Sequence, residues 1–253
     1  MAPEIVTIPC RSDNYAFLLH DKASGATAVI DVPEAAPIRA ALADRGWTLT
    51  DILITHHHDD HIDGVETLKA ETGARVVGAS ADSHRLPPLD LAVAEGDTIA
   101  VGGLNGDILD VSGHTIGHIA FHFPGVVFTA DSLMALGCGR LFEGDAPMMW
   151  ASLSKLAALP EDTIVCSGHE YTSANAAFAA TIDPDNAALK ARTEDIARKR
   201  ASGAPTVPSI LSEELATNPF YRAKAPEVKA RLGMAGAPDV DVFAEIRRRK
   251  DAF

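Results

Sequence analysis

The sequence predicts an α+β fold in which two packed β-sheets are covered by helices and followed by a helical C-terminal domain. Three observations carry that reading. Strand-like segments recur as far as Gly168, and the early ones are joined by loops too short for helical crossovers. Several of those segments end on a histidine or an aspartate. After Tyr171 the composition changes to alanine-rich stretches with charges at helical intervals.

Taken in order, Glu4 to Pro9, Tyr15 to His20 and Ala26 to Asp31 read as short strands pairing antiparallel. Pro37 to Asp44 places Ile38, Ala41 and Leu42 at helical spacing, and Arg45-Gly46 closes the helix. Asp51-Ile52-Leu53-Ile54 reads as a buried strand, and Asp63 to Thr72 as a short amphipathic helix. Further strands are expected at Arg75 to Ala79, Thr98 to Val101, Gly106 to Val111, His118 to Phe123, Val126 to Ala130 and Thr163 to Cys166. A helix is expected at Ala151 to Leu159. Thr172 to Ser202 reads as helical, Gly203-Ala204-Pro205 and Pro208 break it, and three shorter helical stretches run to Phe253. The expected division is therefore a catalytic domain over residues 1–172 and a helical domain over 173–253.

Between the strand at Asp51 and the helix at Asp63 lies Thr55-His56-His57-His58-Asp59-Asp60-His61, with four imidazoles and two carboxylates in seven residues. His56 and His58 are two apart on an extended segment, so both rings can point to one side and share an ion. Asp60 and His61, adjacent where the helix begins, project differently and suit a second ion. A tag-like cluster would lie at a terminus and lack the interleaved Asp60. Two-metal sites need more donors than one motif supplies. The strand ends provide them as His114 in Ser112-Gly113-His114-Thr115, Asp131 after Val126 to Ala130, and His169 in Ser167-Gly168-His169. The glycines beside His114 and His169 are expected to let the backbone crowd an ion.

The composition is that of an ordinary soluble enzyme, with 47% hydrophobic and 23% charged residues over 253 positions. No apolar run approaches a membrane span, and Met1 to Cys10 carries Glu4 and no apolar signal core, so a cytoplasmic protein without a membrane partner is expected. Three cysteines, Cys10, Cys138 and Cys166, argue against a disulfide framework and read as small buried thiols. A net charge of -13 makes nucleic acid an unsuitable partner. The charge is uneven: residues 1–172 hold 9 Lys and Arg against 24 Asp and Glu, whereas residues 173–253 hold 13 against 11. Only the last third invites an anion.

Together these residues resemble the metallo-β-lactamase superfamily, and within it the glyoxalase II enzymes, the hydroxyacylglutathione hydrolases. Beyond the His56 motif, the likeness rests on Asp13-Asn14-Tyr15, Gly113-His114-Thr115 with Gly117-His118, Gly137-Cys138-Gly139-Arg140 with Phe142-Glu143-Gly144, and Gly168-His169-Glu170-Tyr171-Thr172. Asn218-Pro219-Phe220 and Ile246 to Asp251 resemble the family's glutathione-binding helical domain. The resemblance implies a four-layer αββα sandwich with that domain appended. It also implies two divalent metal ions per chain: His56, His58 and His114 on the first, Asp60, His61 and His169 on the second, and Asp131 bridging. Zinc is the default ion, with iron or manganese accepted by such enzymes and equally compatible with nitrogen and oxygen donors. Arg140, Tyr171, Arg247 and Lys250 fall where the family binds glutathione, and Phe142 stands where many members carry tyrosine. Val111-Ser112, Ala130 and Ser132 also depart from the family's Thr-Pro, Gly and Thr.

The implied reaction is hydrolysis of a small-molecule glutathione thioester, S-D-lactoylglutathione above all. Metal binding lowers the pKa of water to about 7, so neither serine nor cysteine need attack. Asp60 is the catalytic carboxylate, a ligand that also orients the water. Among the remaining residues, His57 is expected to point away into packing, His118 reads equally as ordering its loop or as ordinary packing, and Asp13 with Asn14 reads as a turn or Asx cap, with bracing of the site as the alternative. His20, His84 and His122 read as ordinary strand or loop residues. A monomer is expected. A persulfide dioxygenase with one iron, a lactonase or β-lactamase, and a metal-binding protein without catalysis stand as alternatives.

Overall fold

The computed structural model describes residues 3–253 and divides into two compact units. One runs to Val111 and resumes over Ile116–Ala130; the other comprises Ser112–Thr115 and Asp131–Phe253.

The first unit opens with β1 (Glu4–Cys10), β2 (Asn14–His20) and β3 (Ala26–Ile30), paired antiparallel through contacts such as Ile8 opposite Ala16 and Phe17 opposite Ile30. Helix α1 (Ala35–Arg45), closed by Gly46 in the left-handed conformation, carries the chain to β4 (Thr48–Leu53), which lies parallel to β3. The crossover to β5 (Arg75–Ala79) contains α2 (Asp59–Ile62) and α3 (Val65–Thr72), and a 3-10 turn at Ser80–Asp82 precedes β6 (Leu91–Val93). All six strands form one sheet in sequence order.

β2 is buried along its whole length because both of its faces are covered. Ala16 and Leu18 join a core with Ile38 and Leu42 of α1 and Val65 and Leu68 of α3, while Phe17 meets Phe128 at 5.8 Å on the other side. Phe128 belongs to a second sheet of antiparallel strands: β7 (Thr98–Val101), β8 (Leu104–Asp110), β9 (Ile119–Phe123) and β10 (Val126–Ala130). Two packed sheets with helices on the outer face are thus present as the sequence predicts.

The helix expected from Asp63 to Thr72 is present as α3, starting two residues later, and a separate single turn, α2, precedes it. Gly64 separates them: its N–H donates to Val32 O at 2.9 Å, and an added Cβ would lie 2.6 Å from Val32 Cγ1 and 2.8 Å from Ala35 N. Close packing on the β3–α1 connection takes that backbone out of the helical ladder.

In the second unit, β11 (Leu133–Met134) and β12 (Gly137–Cys138) form a small hairpin. Helix α4 (Ala146–Leu156) begins five residues before Ala151, where Asp145 accepts Met148 N at 2.9 Å and Pro147 sits in the first turn. β13 (Ile164–Ser167) pairs antiparallel with β14 (Ser209–Ile210). The long helix expected from Thr172 divides into α5 (Thr172–Ile182) and α6 (Ala187–Ala201), because Pro184 cannot continue the ladder and Asn186 caps the new start by accepting Leu189 N. Then follow α7 (Leu211–Thr217), a 3-10 turn at Tyr221–Lys224, α8 (Pro226–Arg231) and α9 (Asp239–Asp251). An aromatic row, Trp150–Phe243–Phe220–Phe178 with centroids 5.5 to 6.4 Å apart, ties α4, α9 and α5 together. Among the described residues no helix is long and apolar enough to cross a membrane.

Candidate metal centre

In the first unit the Thr55–His61 segment leaves β4 and turns into α2, which brings His56 and His61 around one buried carboxylate. Asp31, 2% exposed and just past β3, accepts from Thr55 N, Thr55 Oγ1 and His61 Nδ1, each at 2.8 Å. Thr55 spends its hydroxyl proton on Asp31, so His56 Nδ1, 3.0 Å from Thr55 Oγ1, is the donor of that pair. Both His56 and His61 are thereby held as Nδ1–H tautomers with Nε2 left as the electron-pair donor, the state metal ligation requires.

His56 Nε2 and His58 Nδ1 converge to 3.2 Å. That matches about 3.3 Å, the edge of a tetrahedron with metal–nitrogen bonds of about 2.0–2.1 Å. The His56 ring is fully buried and stacks on His118 with centroids 4.5 Å apart and planes 12° apart. Asp60 is held by Asn14, whose Nδ2 donates to Asp60 O at 2.9 Å and to Asp60 Oδ2 at 3.0 Å. Donor atoms of Asp31, His56 and His61 all lie within 4.8 Å of one another. Asp31 is nevertheless a support rather than a ligand, since Thr55 and His61 already occupy both of its oxygens. His57 turns away from its neighbours, with Nδ1 2.9 Å from Asp82 Oδ2.

In the second unit three predicted donors meet. Asp131 Oδ2 lies 3.4 Å from His114 Nε2 and 3.3 Å from His169 Nε2, and all three residues are buried. His114 Nδ1–H donates to Arg140 O at 2.7 Å, which again leaves Nε2 as the donor. The chain passes so close here that a Cβ on Gly139 would lie 2.0 Å from Asp131 O and 2.9 Å from His114 Nδ1. His169 stacks on Tyr171 with centroids 4.7 Å apart. Gly113 serves a different purpose from the expected one: an added Cβ would strike Met149 of α4 at 2.8 Å, so packing on the helix demands it.

The five residues expected near glutathione are all in this unit. Arg140 is exposed with its guanidinium 5.7 Å from the Phe142 ring centroid, and Phe142 is 61% exposed. Tyr171 is 41% exposed. Arg247 is buried, donating Nη1 to Cys138 O at 3.0 Å and Nη2 to Asp251 at 2.8 Å. Lys250 Nζ lies 5.2 Å from the Phe178 ring and 5.4 Å from the Phe253 ring, and burial lowers its pKa.

None of the cysteines offers a thiolate. Burial pushes Cys10 and Cys138 up to about 11 and Cys166 higher still. The donors are therefore imidazole nitrogens and carboxylate oxygens, with ring tautomers set by second partners, and this chemistry fits divalent metal. Sequence reasoning missed Asp31, whose only signal was an acidic residue ending an apolar strand.

Comparison with known proteins agrees with the geometry. Residues 15–169 match the metallo-beta-lactamase superfamily, and residues 170–253 match the family described as hydroxyacylglutathione hydrolase C-terminus. A hydroxyacylglutathione hydrolase of Jannaschia sp. (strain CCS1) is 68% identical, covering 99% of each chain, and one of Cereibacter sphaeroides (strain ATCC 17025 / ATH 2.4.3) is 64% identical over the full length of both. Among solved structures, ETHE1 from Myxococcus xanthus aligns with a TM-score of 0.66 at 25% identity, covering 100% of this chain and 99% of that one. The BLEG-1 B3 metallo-beta-lactamase aligns with a TM-score of 0.67 at 20% identity, covering 86% and 99%, a likeness of fold. By fold, by donor set and by likeness along its whole length, this chain belongs to the hydroxyacylglutathione hydrolases of the metallo-β-lactamase superfamily.

Proposed function

We propose that the chain hydrolyses S-D-lactoylglutathione and related hydroxyacylglutathiones to a hydroxy acid and glutathione, in the cytoplasm, as the second step of methylglyoxal detoxification. The observation that carries this reading is the 68% identity to a hydroxyacylglutathione hydrolase over both whole chains. The catalytic part comprises residues 1–172 and the glutathione-binding part residues 173–253. His56, His58 and His114 would hold one ion, Asp60, His61 and His169 a second, and Asp131 both; zinc is the first choice, with iron or manganese as substitutes.

Two such ions would supply a polarised carbonyl and a water whose pKa is brought to about 7. Asn14 steadies the Asp60 carboxylate, which would orient that water. The glutathione thiolate departs without a protein acid, because a thiol pKa of about 8.5 makes its protonation dispensable. Tyr171, Arg140, Arg247 and Lys250 would bind glutathione, with Phe142 beside them and Arg247 reaching the Gly137–Arg140 stretch through Cys138 O.

Incubation with S-D-lactoylglutathione should release one thiol per thioester without oxygen uptake, and metal analysis should find about two ions per chain. Oxygen consumption with glutathione persulfide, without thiol release from the thioester, would replace this reading with a dioxygenase.

A further inference from the structure

The β11–β12 hairpin pairs only Leu133 with Cys138 and Met134 with Gly137, too little to hold a shape by itself. Its turn residue Leu136 has φ 56, a left-handed conformation that is costly for a side chain of this kind. Yet its backbone polar groups are engaged one after another by helical side chains. Asn175 of α5 donates Nδ2 to Ala135 O at 3.0 Å, and Glu214 of α7 accepts Leu136 N at 2.9 Å. Asn218, at the end of α7, donates Nδ2 to Met134 O at 3.2 Å and to Gly137 O at 2.9 Å.

Glu214 and Asn218 are fully buried and joined to each other at 3.1 Å, with Arg192 paired to the carboxylate. Burying a carboxylate is expensive unless its bonds are made, and here Leu136 N of the hairpin, Asn218 and Arg192 make them. An added Cβ on Gly137 would lie 2.5 Å from Asn175 Nδ2. The held segment begins two residues after Asp131 and ends two before Arg140, whose carbonyl accepts from His114.

We infer that Glu214, Asn218 and Asn175 are positioning residues: the helical part clamps the Leu133–Cys138 hairpin and so fixes the Asp131 carboxylate and the Arg140 carbonyl that orients His114. This assignment rests on the proposed function for the roles of Asp131 and His114. Its test is hydrogen exchange on full-length Asn218→Ala, with and without zinc, beside zinc affinity by chelator competition and kcat and KM with S-D-lactoylglutathione.

Loss of the bonds Asn218 donates to Met134 O and Gly137 O, and of its bond to Glu214, should speed exchange at Leu136 and Gly139 by about ten-fold or more, with α5 and α9 unchanged. Zinc affinity should fall by about ten-fold or more, and kcat should fall further than KM rises. Glu214→Gln, which keeps an acceptor for Leu136, should lie between parent and Asn218→Ala. Parental hairpin exchange and zinc affinity in Asn218→Ala would overturn the clamp, as would faster exchange spread evenly over all the helices. If Asn218→Ala does not fold, Asn175→Ala removes only the bond to Ala135, and parental hairpin protection there overturns it equally. Exchange and zinc binding need no substrate, so an inactive parent protein would count against the proposed function alone.

Discussion

The two units hold their candidate ligands by different means. In the first, the supports are side chains: Asp31 for His61, Thr55 for His56, and Asn14 for Asp60. In the second, His114 is oriented by the main-chain carbonyl of Arg140, and its own carbonyl accepts from Phe142 N at 3.2 Å. A side-chain support can be removed by one substitution, whereas a main-chain support survives any change of its side chain and fails only when the segment moves. The first unit should therefore be sensitive to single substitutions around the donors, and the second to substitutions at the donors themselves or in the clamp.

The largest effect is expected from a donor with no understudy. His169→Ala should lower metal content from two ions towards one and reduce kcat/KM by at least about 100-fold, read by metal analysis and steady-state kinetics. Two retained ions with full turnover would remove His169 from the set. Next come the supports, where the comparison is sharpest. Asp31→Ala strips three accepted bonds from Thr55 and His61 and should weaken metal affinity by about 10–100-fold. Arg140→Ala should leave metal affinity at the parental value, because the group that orients His114 is a carbonyl the substitution keeps. Equal losses of affinity in both variants would abolish the distinction.

Smaller effects are expected among the cations of α9. Losing a charge-assisted contact of about 1.5–3 kcal/mol should raise KM for glutathione thioesters by about ten-fold or more in Lys250→Met and in Arg247→Met. Arg247→Met should also lower the melting temperature by several degrees, since its guanidinium ties Cys138 O to Asp251. An unchanged KM in both would reduce the cluster to a helix end. The smallest effect is a gain. Phe142→Tyr adds a hydroxyl to an exposed ring beside Arg140, and one neutral hydrogen bond of about 0.5–1.5 kcal/mol should lower KM by about two- to twelve-fold with kcat nearly constant. A KM that stays level or rises would show that this ring does not face glutathione.

Legibility followed the range of the interactions involved. The strand Arg75–Ala79 and the strands Thr98–Val101 and Val126–Ala130 appear with the predicted bounds, because local apolar patterning defines them. His57 turning away from the donors was anticipated, whereas Asn14, read from sequence first as a turn or Asx cap, proves to brace Asp60. Hidden from sequence was the separation of α2 from α3 at Gly64, decided by contact with Val32, whereas the division of the long helix has local causes, Pro184 and the Asn186 cap, inside a stretch whose alanine-rich composition reads as one helix. Ala130 illustrates the same limit: it adopts φ 40, a conformation that nothing in its neighbours' patterning announces.

By itself the sequence determined the chemistry of the donors, their order along the chain and the family. Residue type sets what an imidazole or carboxylate can bind, and strand-end spacing sets which of them emerge together. Only the tertiary structure decided which nitrogen of each ring is the donor, and which residues hold the donors still. Those properties depend on hydrogen bonds such as Asp31 to His61 and Glu214 to Leu136, between positions 30 and 78 residues apart, and proximity across such separations is created by packing rather than by local pattern.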